Sequence, residues 1–315
     1  MIDSFGRTID YLRISVTDRC NLRCVYCMPD GFEDIGHDRV LSFEQIERVV
    51  RAAVVLGFRK FRLTGGEPLV RRGVVRLVEM LAAIPGVDEL NMTSNGTLLE
   101  GMAAQLKKAG LTRVNISLDT LRADRFREIT RGGDIEAAKR GIAAAEAAGL
   151  SPVRLNVVAM RGFNDDEILD FAAMTKEKPY DIRFIELMPI GKTGRSGFMP
   201  AHEIRAVLKG CEPLDDRRGV AEYIAYPGAP GRIGLISPIS AHFCGGCNKI
   251  RLTSDGRIKT CLHSNSEEDM LPALRDRSDE ALRRALGEII LRKEERHFIA
   301  DGMAPIERGM YRIGG

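Results

Sequence analysis

The sequence lacks long apolar runs. No stretch of its 315 residues approaches the roughly 18 consecutive apolar residues of a membrane-spanning helix, and residues 1–20 contain no apolar core of a secretory leader. We therefore expect a cytoplasmic protein without membrane contact. A strong charge imbalance is also missing, because the net charge is only +3. Nucleic acid is therefore not expected as a partner, although a basic pocket for a small anion is allowed.

Cysteine, by contrast, occurs seven times, and 44% of the residues are hydrophobic, which is enough to bury a sizeable core. In a reducing compartment these thiols favour metal or redox chemistry over disulfides. Six of them form two groups of three, and neither group has a fourth cysteine close by in the sequence. The seventh, Cys211, is predicted to be a buried structural thiol.

Short apolar segments alternate with helical patterns along residues 11–190. This alternation predicts an α/β fold with a parallel sheet of about six βα units, fewer than the eight of a closed barrel. Periodicity alone leaves an open barrel and a doubly wound sheet as alternatives. We interpret the strands as buried on both faces. The strand candidates are residues 11–16, 58–64, 89–93, 113–118, 153–159 and 181–187.

The sequence also marks several element ends. Ser42 and Gln45 form a capping box at the start of the first helix, and Gly57 follows its predicted end. The alternation stops near residue 190, so we assign residues 1–190 to one domain and residues 191–315 to a C-terminal region. The elements predicted in that region are a hairpin turn at 254–257, a helix over 279–292 and an extended tail over 303–315.

The first group of cysteines follows the first strand candidate. Cys20, Cys24 and Cys27 have the spacing C-x3-C-x2-C. Three thiolates this close in sequence can bind three irons of a cuboidal [4Fe–4S] cluster and leave the fourth iron open to a small molecule. Spacing alone leaves a zinc knuckle with a distant fourth ligand as the alternative.

The segment Cys20-Asn21-Leu22-Arg23-Cys24-Val25-Tyr26-Cys27 resembles the signature of radical S-adenosylmethionine enzymes, and Gly65-Gly66-Glu67-Pro68 resembles their methionine-binding turn. The resemblance implies an incomplete, open parallel α/β barrel. It also implies that the open iron binds S-adenosylmethionine, whose reductive cleavage yields methionine and a 5′-deoxyadenosyl radical. Glu67 would then offer its carboxylate to the methionyl ammonium group. The implied S-adenosylmethionine contacts are Tyr26, Gly65, Gly66, Glu67, Ser117 and Met188.

The second group repeats the pattern of three. Cys244, Cys247 and Cys261 have the spacing C-x2-C-x13-C, which taken alone predicts a second cluster or a zinc site completed by His242 or His263. His263 could contact the region of the second cluster, but we expect it to face solvent.

Two such sets together resemble the GTP 3′,8-cyclases of molybdenum cofactor biosynthesis. The matching segments are residues 11–15, 64–69, 93–96, 115–119, 183–188 and the Gly-Gly pair 314–315. The resemblance extends over nearly the whole chain and implies two [4Fe–4S] clusters, the second of which binds the guanine of GTP. The implied reaction removes hydrogen from C3′ and joins C3′ to C8, giving 3′,8-cyclo-7,8-dihydro-GTP. The terminal glycines are implied to reach into the barrel.

Binding of a triphosphate requires several cations. Lys60 and Arg62 share one face of a strand, and buried like charges are costly unless an anion meets them. Lys249 stands where the family usually has Arg, and Arg154 where it usually has Lys. The resemblance implies no catalytic residue beyond the ligands. The implied GTP contacts are Arg13, Lys60, Arg62, Thr93, Arg154, Arg183, Lys249, Arg251, Gly314 and Gly315.

Three other functions remain as alternatives: a peptide-modifying radical enzyme with an auxiliary cluster, a zinc or electron-carrier module, and an RNA-binding protein, which the near balance of charge disfavours. A carrier should fill every iron with protein ligands, whereas both cysteine sets stop at three. The cyclase resemblance implies further partners, namely a downstream enzyme of the molybdopterin path and an unidentified electron donor. It leaves a homodimer open.

Overall fold

The computed structural model describes residues 1–28, 31–32, 36–189, 197–216, 219–276, 278–297, 306 and 308–314. The strands are β1 (Tyr11–Ser15), β2 (Lys60–Thr64), β3 (Glu89–Ser94), β4 (Arg113–Ser117), β5 (Arg154–Ala159), β6 (Asp181–Glu186), β7 (Glu212–Pro213), β8 (Glu222–Ala225), β9 (Arg232–Ile236), β10 (Lys249–Leu252), β11 (Arg257–Lys259) and β12 (Glu268–Asp269). The helices are α1 (Phe43–Val55), α2 (Val74–Ala82), α3 (Ala103–Lys108), α4 (Ala123–Thr130), α5 (Ile135–Ala147), α6 (Ile168–Glu177), α7 (Ala201–Val207), α8 (Leu271–Arg275), α9 (Asp279–Leu291) and α10 (Met310–Ile313).

All twelve strands form one sheet, in the order β12-β11-β10-β1-β2-β3-β4-β5-β6-β9-β8-β7. The six predicted strands are confirmed, and they pair in parallel from β1 to β6. Two strands from the C-terminal region extend this parallel array, because β10 pairs with β1 and β9 pairs with β6. The two outermost strands, β12 and β7, do not pair with each other within the described residues, so the sheet is an open α/β barrel.

The central strands alternate polar and apolar residues. On β1, Leu12 and Ile14 are completely buried in the main hydrophobic core, whereas Arg13 lines a cavity on the other face of the sheet. The same alternation on β2 buries Phe61 and Leu63 in the core and turns Arg62 to the cavity. The expectation that the strands are buried on both faces agrees with the structure, because Arg62 and Asn91 on the inner face are buried as well. The inner face is polar because it surrounds a cavity instead of a packed core.

The structure confirms the helix ends and the turn that the sequence predicted. Ser42 caps α1, since its hydroxyl accepts from Gln45 N and the Gln45 side chain accepts from Ser42 N. Gly57 follows this helix with a φ of +94°, a conformation that favours glycine. The predicted hairpin is also present, with β10 and β11 antiparallel on either side of the turn.

The structure departs from the predictions at the tail. Residues 310–313 form the short helix α10 instead of an extended segment, and both Tyr311 and Ile313 are buried. Gly315 lies outside the described residues, so its predicted contact is not placed. In the part of the chain that is described, no helix is long and apolar enough to cross a membrane.

Candidate functional site

A cavity of about 710 Å³ lies against the inner face of the sheet and contains most of the predicted GTP contacts. Neighbouring strands bring these residues together, because inward positions recur every second residue on each strand. Thr93, Ser117 and the methionine-binding turn do not line it within the described residues. The predicted residues that do line it are Arg13, Lys60, Arg62, Arg154, Arg183, Met188, Lys249, Arg251, Cys244, Cys247 and Cys261.

Three arginines crowd one side of the cavity. Arg13 on β1 is in register with Arg251 on β10 and with Arg62 on β2. Burial lowers the pKa of Arg13 well below its ordinary value, and the charges of Arg251 and Arg62 lower it further. Burial also lowers the pKa of Arg251 to about 10. Such crowding of buried positive charge is unfavourable unless an anion binds there.

The cations on this side of the cavity are not neutralised by the hydrogen bonds that they form. Arg62 donates to the Tyr11 hydroxyl and, at 3.2 Å, to Thr93 Oγ1. Lys249 Nζ donates to Asn248 Oδ1 at 2.8 Å. Among the described residues no carboxylate forms an ion pair with Arg62, Lys249 or Arg251. This side is therefore the one best suited to phosphate groups.

The opposite side is organised by a buried carboxylate that the sequence did not indicate. Asp181 lies 2.8 Å from Arg154 and 3.1 Å from Arg183, and it also pairs with Arg232 at 3.2 Å. Burial raises the pKa of Asp181, but these arginines outweigh that effect and the pKa is lowered. Tyr223 donates to the same carboxylate at 3.2 Å. Asp181 thus holds Arg154 and Arg183 in place beside the cavity.

The second cysteine set lies at the amino ends of the parallel strands. Cys247 comes two residues before Lys249, which is in register with Tyr11 at the start of β1. The backbone N–H of Lys249 donates to the Cys247 sulfur. Cys261 follows β11 and receives a backbone N–H from His263. Amide donors aimed at sulfur stabilise thiolates, as cluster ligation requires.

Positive charge surrounds the same set. Burial raises the pKa of Cys247, but Lys293, Lys249 and Arg7 outweigh this and lower it. Arg7 also donates to the backbone oxygen of Cys244 at 3.1 Å. The thiolate form, which binds metals, is therefore favoured at Cys247, whereas burial raises the pKa of Cys261.

His263 is buried, so the expectation that it faces solvent is wrong. It is 7% exposed, it lines the cavity, and its ring centroid lies 4.6 Å from that of His297. Its Nε2 atom lies 3.2 Å from Met188 Sδ. Burial lowers the pKa of His263 to about 3, with further lowering by His297 and Arg251. The buried ring is therefore neutral near pH 7.

The first cysteine set lies beyond the carboxyl end of β1. The Cys20 sulfur accepts from Leu22 N at 3.3 Å and from Asn95 Nδ2 at 3.8 Å. Burial raises the pKa of all three thiols, that of Cys27 to about 12. Their thiolates are therefore unfavourable without a cation among them, and an iron–sulfur cluster supplies one. The donor set and its N–H groups fit such a cluster.

No group of three or more His, Cys, Asp or Glu residues among the described residues could hold a single metal ion. In a cubane each thiolate binds a different iron, so the sulfurs need not surround one ion. The alternative of a single zinc ion receives no support from the described side chains.

The predicted methionine-binding turn packs tightly on the cysteine loop. A Cβ atom added to Gly66 would lie 2.4 Å from the backbone oxygen of Arg19, so only glycine fits there. The Glu67 carboxylate accepts from Leu69 N, Ser94 Oγ and Asn95 N at 2.7–3.0 Å. Burial raises the pKa of Glu67 to about 7. These bonds give the motif a structural role in addition to the predicted ligand contact.

Tyr26 is held by a second buried carboxylate. Its hydroxyl donates to Asp119 Oδ2 at 2.8 Å, and Asp119 Oδ1 accepts from Val158 N at 2.8 Å. Ser117 ends β4 two residues earlier, in register with Asn156 on β5. Tyr26 and Ser117 therefore lie near the carboxyl edge of the sheet, on the side of the first cysteine set.

The C-terminal tail contacts both the first cysteine set and the side of the cavity that carries the three crowded arginines. The backbone N–H of Tyr311 donates to the Cys27 sulfur, and Arg251 donates to the backbone oxygen of Gly314. Gly314 has a φ of +82°, and an added Cβ would lie 2.5 Å from Thr64 Oγ1. Both the conformation and the space require glycine. The two cysteine sets thus lie at opposite ends of the strands, with the polar cavity between them.

Comparisons with known proteins agree with this arrangement. A model of the radical SAM superfamily matches residues 14–175, and a model described as molybdenum cofactor synthesis C matches residues 180–299. The GTP 3′,8-cyclase of Alkaliphilus oremlandii is 50% identical over 321 residues, and that of Moorella thermoacetica is 49% identical over 324 residues. Each comparison covers 100% of both chains.

One solved structure supports the fold at low identity. Streptococcus suis SuiB bound to S-adenosylmethionine superposes with a TM-score of 0.66 at 16% identity, covering 96% of this chain and 76% of SuiB. The polar cavity, the cysteine sets at its two ends and the full-length matches agree. The chain belongs to the GTP 3′,8-cyclase family of the radical S-adenosylmethionine superfamily.

Proposed function

We propose that the chain converts GTP to (8S)-3′,8-cyclo-7,8-dihydroguanosine 5′-triphosphate, an early step of molybdenum cofactor biosynthesis. The observation that carries this proposal is the cavity itself, which combines a crowded arginine side with three cysteines at the opposite end from the S-adenosylmethionine motif. When bound, the two [4Fe–4S] clusters supply the electron that cleaves S-adenosylmethionine and a binding position for guanine.

The protein's own residues position the two substrates. The residues proposed to bind S-adenosylmethionine are Tyr26, Gly65, Gly66, Glu67, Ser117 and Met188, and Glu67 also shapes the turn. Cys20, Cys24 and Cys27 would hold the first cluster, and Cys244, Cys247 and Cys261 the second. The proposed GTP contacts are Arg13, Lys60, Arg62, Thr93, Arg154, Arg183, Lys249, Arg251, Gly314 and Gly315. We keep the division at residue 190 as a proposal, in which the N-terminal part binds S-adenosylmethionine and the C-terminal part binds guanine.

Product analysis tests the function directly. The reconstituted protein should be incubated anaerobically with GTP, S-adenosylmethionine and a chemical reductant, and the products separated by chromatography. We expect the cyclised triphosphate and one equivalent of 5′-deoxyadenosine. GTP deuterated at C3′ should transfer deuterium to 5′-deoxyadenosine, whereas GTP deuterated at C2′ should not. Undeuterated 5′-deoxyadenosine from the C3′-labelled substrate would exclude the proposed reaction.

The arginine side predicts a specific loss of GTP affinity. Arg62→Ala should raise the Kd for GTP about ten- to a hundredfold, because a charge-assisted hydrogen bond contributes about 1.5–3 kcal/mol. Isothermal titration under argon measures the effect, with S-adenosylmethionine titrated in parallel and expected to bind as before. Arg140 pairs with Glu100 on the outer surface, so Arg140→Ala is the matched control. Equal affinity of the parent protein for GTP and guanosine would contradict a triphosphate site.

A reductive radical reaction that yields a biosynthetic precursor requires two further proteins. We propose that the product passes to a downstream enzyme of the molybdopterin path and that an electron donor, not yet identified, reduces the first cluster. A homodimer stays a proposal. Seven reduced thiols and oxygen-sensitive clusters favour a cytoplasmic location.

A further inference from the structure

Two buried asparagines in the cavity wall belong to none of the contacts assigned so far. Asn91 on β3 is 1% exposed and Asn115 on β4 is 2% exposed, and both line the cavity. The side-chain oxygen of each is buried without a hydrogen-bond partner in the described residues. A buried amide oxygen that stays unsatisfied destabilises a protein, so such atoms usually meet a ligand or water.

The orientation of Asn91 follows from its neighbours. Its Nδ2 atom donates to Glu89 Oε2 at 3.3 Å, and Glu89 also pairs with Arg113 at 3.3 Å. A carboxylate only accepts hydrogen bonds, so the amide nitrogen must face Glu89 and the oxygen must face away from it. The cavity therefore receives an acceptor from Asn91.

A hydrogen-bond acceptor in the cavity wall can bind only those parts of GTP that donate hydrogen bonds. Phosphate oxygens also accept, so they do not pair with an amide oxygen, whereas ribose hydroxyls and guanine N–H groups donate. The second cysteine set, where guanine is proposed to bind, lies at the amino ends of the strands. Asn91 is in register with Arg62, and Asn115 is in register with Thr93, in the middle of the strands. The ribose must lie in this middle section if its C3′ is to face the first cysteine set.

We infer that Asn91 and Asn115 accept hydrogen bonds from the ribose hydroxyls and make the enzyme select ribonucleotide over deoxyribonucleotide. This inference rests on the proposed function, because GTP supplies the ribose. A deoxy analogue would leave a buried oxygen without a partner, and a site built to bind a hydroxyl rejects the analogue that lacks it. The two asparagines would also fix the sugar so that C3′ points toward the carboxyl end of the barrel.

Nucleotide affinities of the cluster-loaded protein test the inference without turnover. The Kd values for GTP, 2′-deoxyGTP and 3′-deoxyGTP should be measured anaerobically for the parent, Asn91→Leu and Asn115→Leu. The parent should prefer GTP over at least one analogue by about three- to thirtyfold. Each Leu variant should bring that ratio close to one by losing affinity for GTP alone. An unchanged ratio in both variants, or no preference in the parent, would overturn the inference.

Two further variants separate ribose recognition from general damage. Asn115→Asp keeps the size and the acceptor but adds a negative charge, so it should weaken all three nucleotides alike and keep the ratio. A ratio lost in this variant as well would show a general disturbance and overturn the inference. Arg62→Ala, beside Asn91, should likewise weaken all three equally. Iron content and thermal unfolding report whether each variant is folded. A parent protein that binds no GTP would instead refute the proposed function.

Discussion

Replacing Cys244, Cys247 and Cys261 together by Ala should abolish GTP cyclisation while S-adenosylmethionine still binds and is slowly cleaved. The three thiols line the substrate cavity, whereas the first set lies beyond the opposite ends of the strands. Loss of the second cluster removes the position proposed for guanine. Misplacement of a substrate by about 1 Å can cost about a hundredfold in rate, so product should fall by more than that. Iron should drop from about eight to about four per chain.

The seventh cysteine provides the control. Cys211 is 6% exposed and packs in the main hydrophobic core, away from both sets, as the sequence predicted. Cys211→Ala should keep all the iron, the GTP affinity and the product. If the triple variant bound GTP as tightly as the parent, the second set would have no substrate role. Loss of one cluster in Cys211→Ala would overturn the assignment of the six ligands.

Changing Gly314 should uncouple S-adenosylmethionine cleavage from cyclisation. Gly314→Ala places a methyl group 2.5 Å from Thr64 Oγ1 and strains a residue with a φ of +82°, so the tail must move. Arg251 would then lose the backbone oxygen that it contacts. We expect product to fall by about a hundredfold, with both clusters kept and 5′-deoxyadenosine still formed. Deletion of Gly314 and Gly315 should have the same result.

Chromatography of both products measures the uncoupling. Gly101 is a suitable control, because an added Cβ there meets no atom within 4 Å, and Gly101→Ala should behave as the parent. The tail contributes little apolar burial at these glycines, so the melting temperature should stay within a few degrees. Full-rate product from the truncated chain would show that the tail only covers the end of the barrel.

Motifs that lie close together in the chain were predictable from the sequence. The capping box at Ser42 and Gln45 and the six parallel strands depend on residues a few positions apart, and the structure confirms them. The family followed from the cysteine spacings and the Gly-Gly-Glu-Pro turn, and the full-length relatives confirm it. The individual roles of the GTP and S-adenosylmethionine contacts stay predictions, although the placement of most of the GTP contacts around one cavity is consistent with their roles.

The alternation of polar and apolar residues is visible in the sequence, and it places Lys60 and Arg62 on one face of β2. A polar residue at every second strand position already marks Asn91 and Asn115 as belonging to the same face as Arg13 and Arg62. The prediction from the residues considered cations for the triphosphate and therefore missed these two amides. Arg113 lies two residues before Asn115 on β4, so the same alternation also places it on the cavity face.

The sequence by itself therefore determined the chemistry: three-thiol ligand sets, a glycine-rich turn and strands that carry cations. These depend on residue type and short spacing, which the chain specifies locally. Only the tertiary structure decided which groups meet. Asp181 pairs with Arg232, 51 residues away, and Arg251 pairs with Gly314, 63 residues away. Asp181 and Arg232 are register partners on β6 and β9, whereas Gly314 meets Arg251 from the end of α10. Both contacts depend on the packing of the whole sheet, which short sequence spacing does not specify.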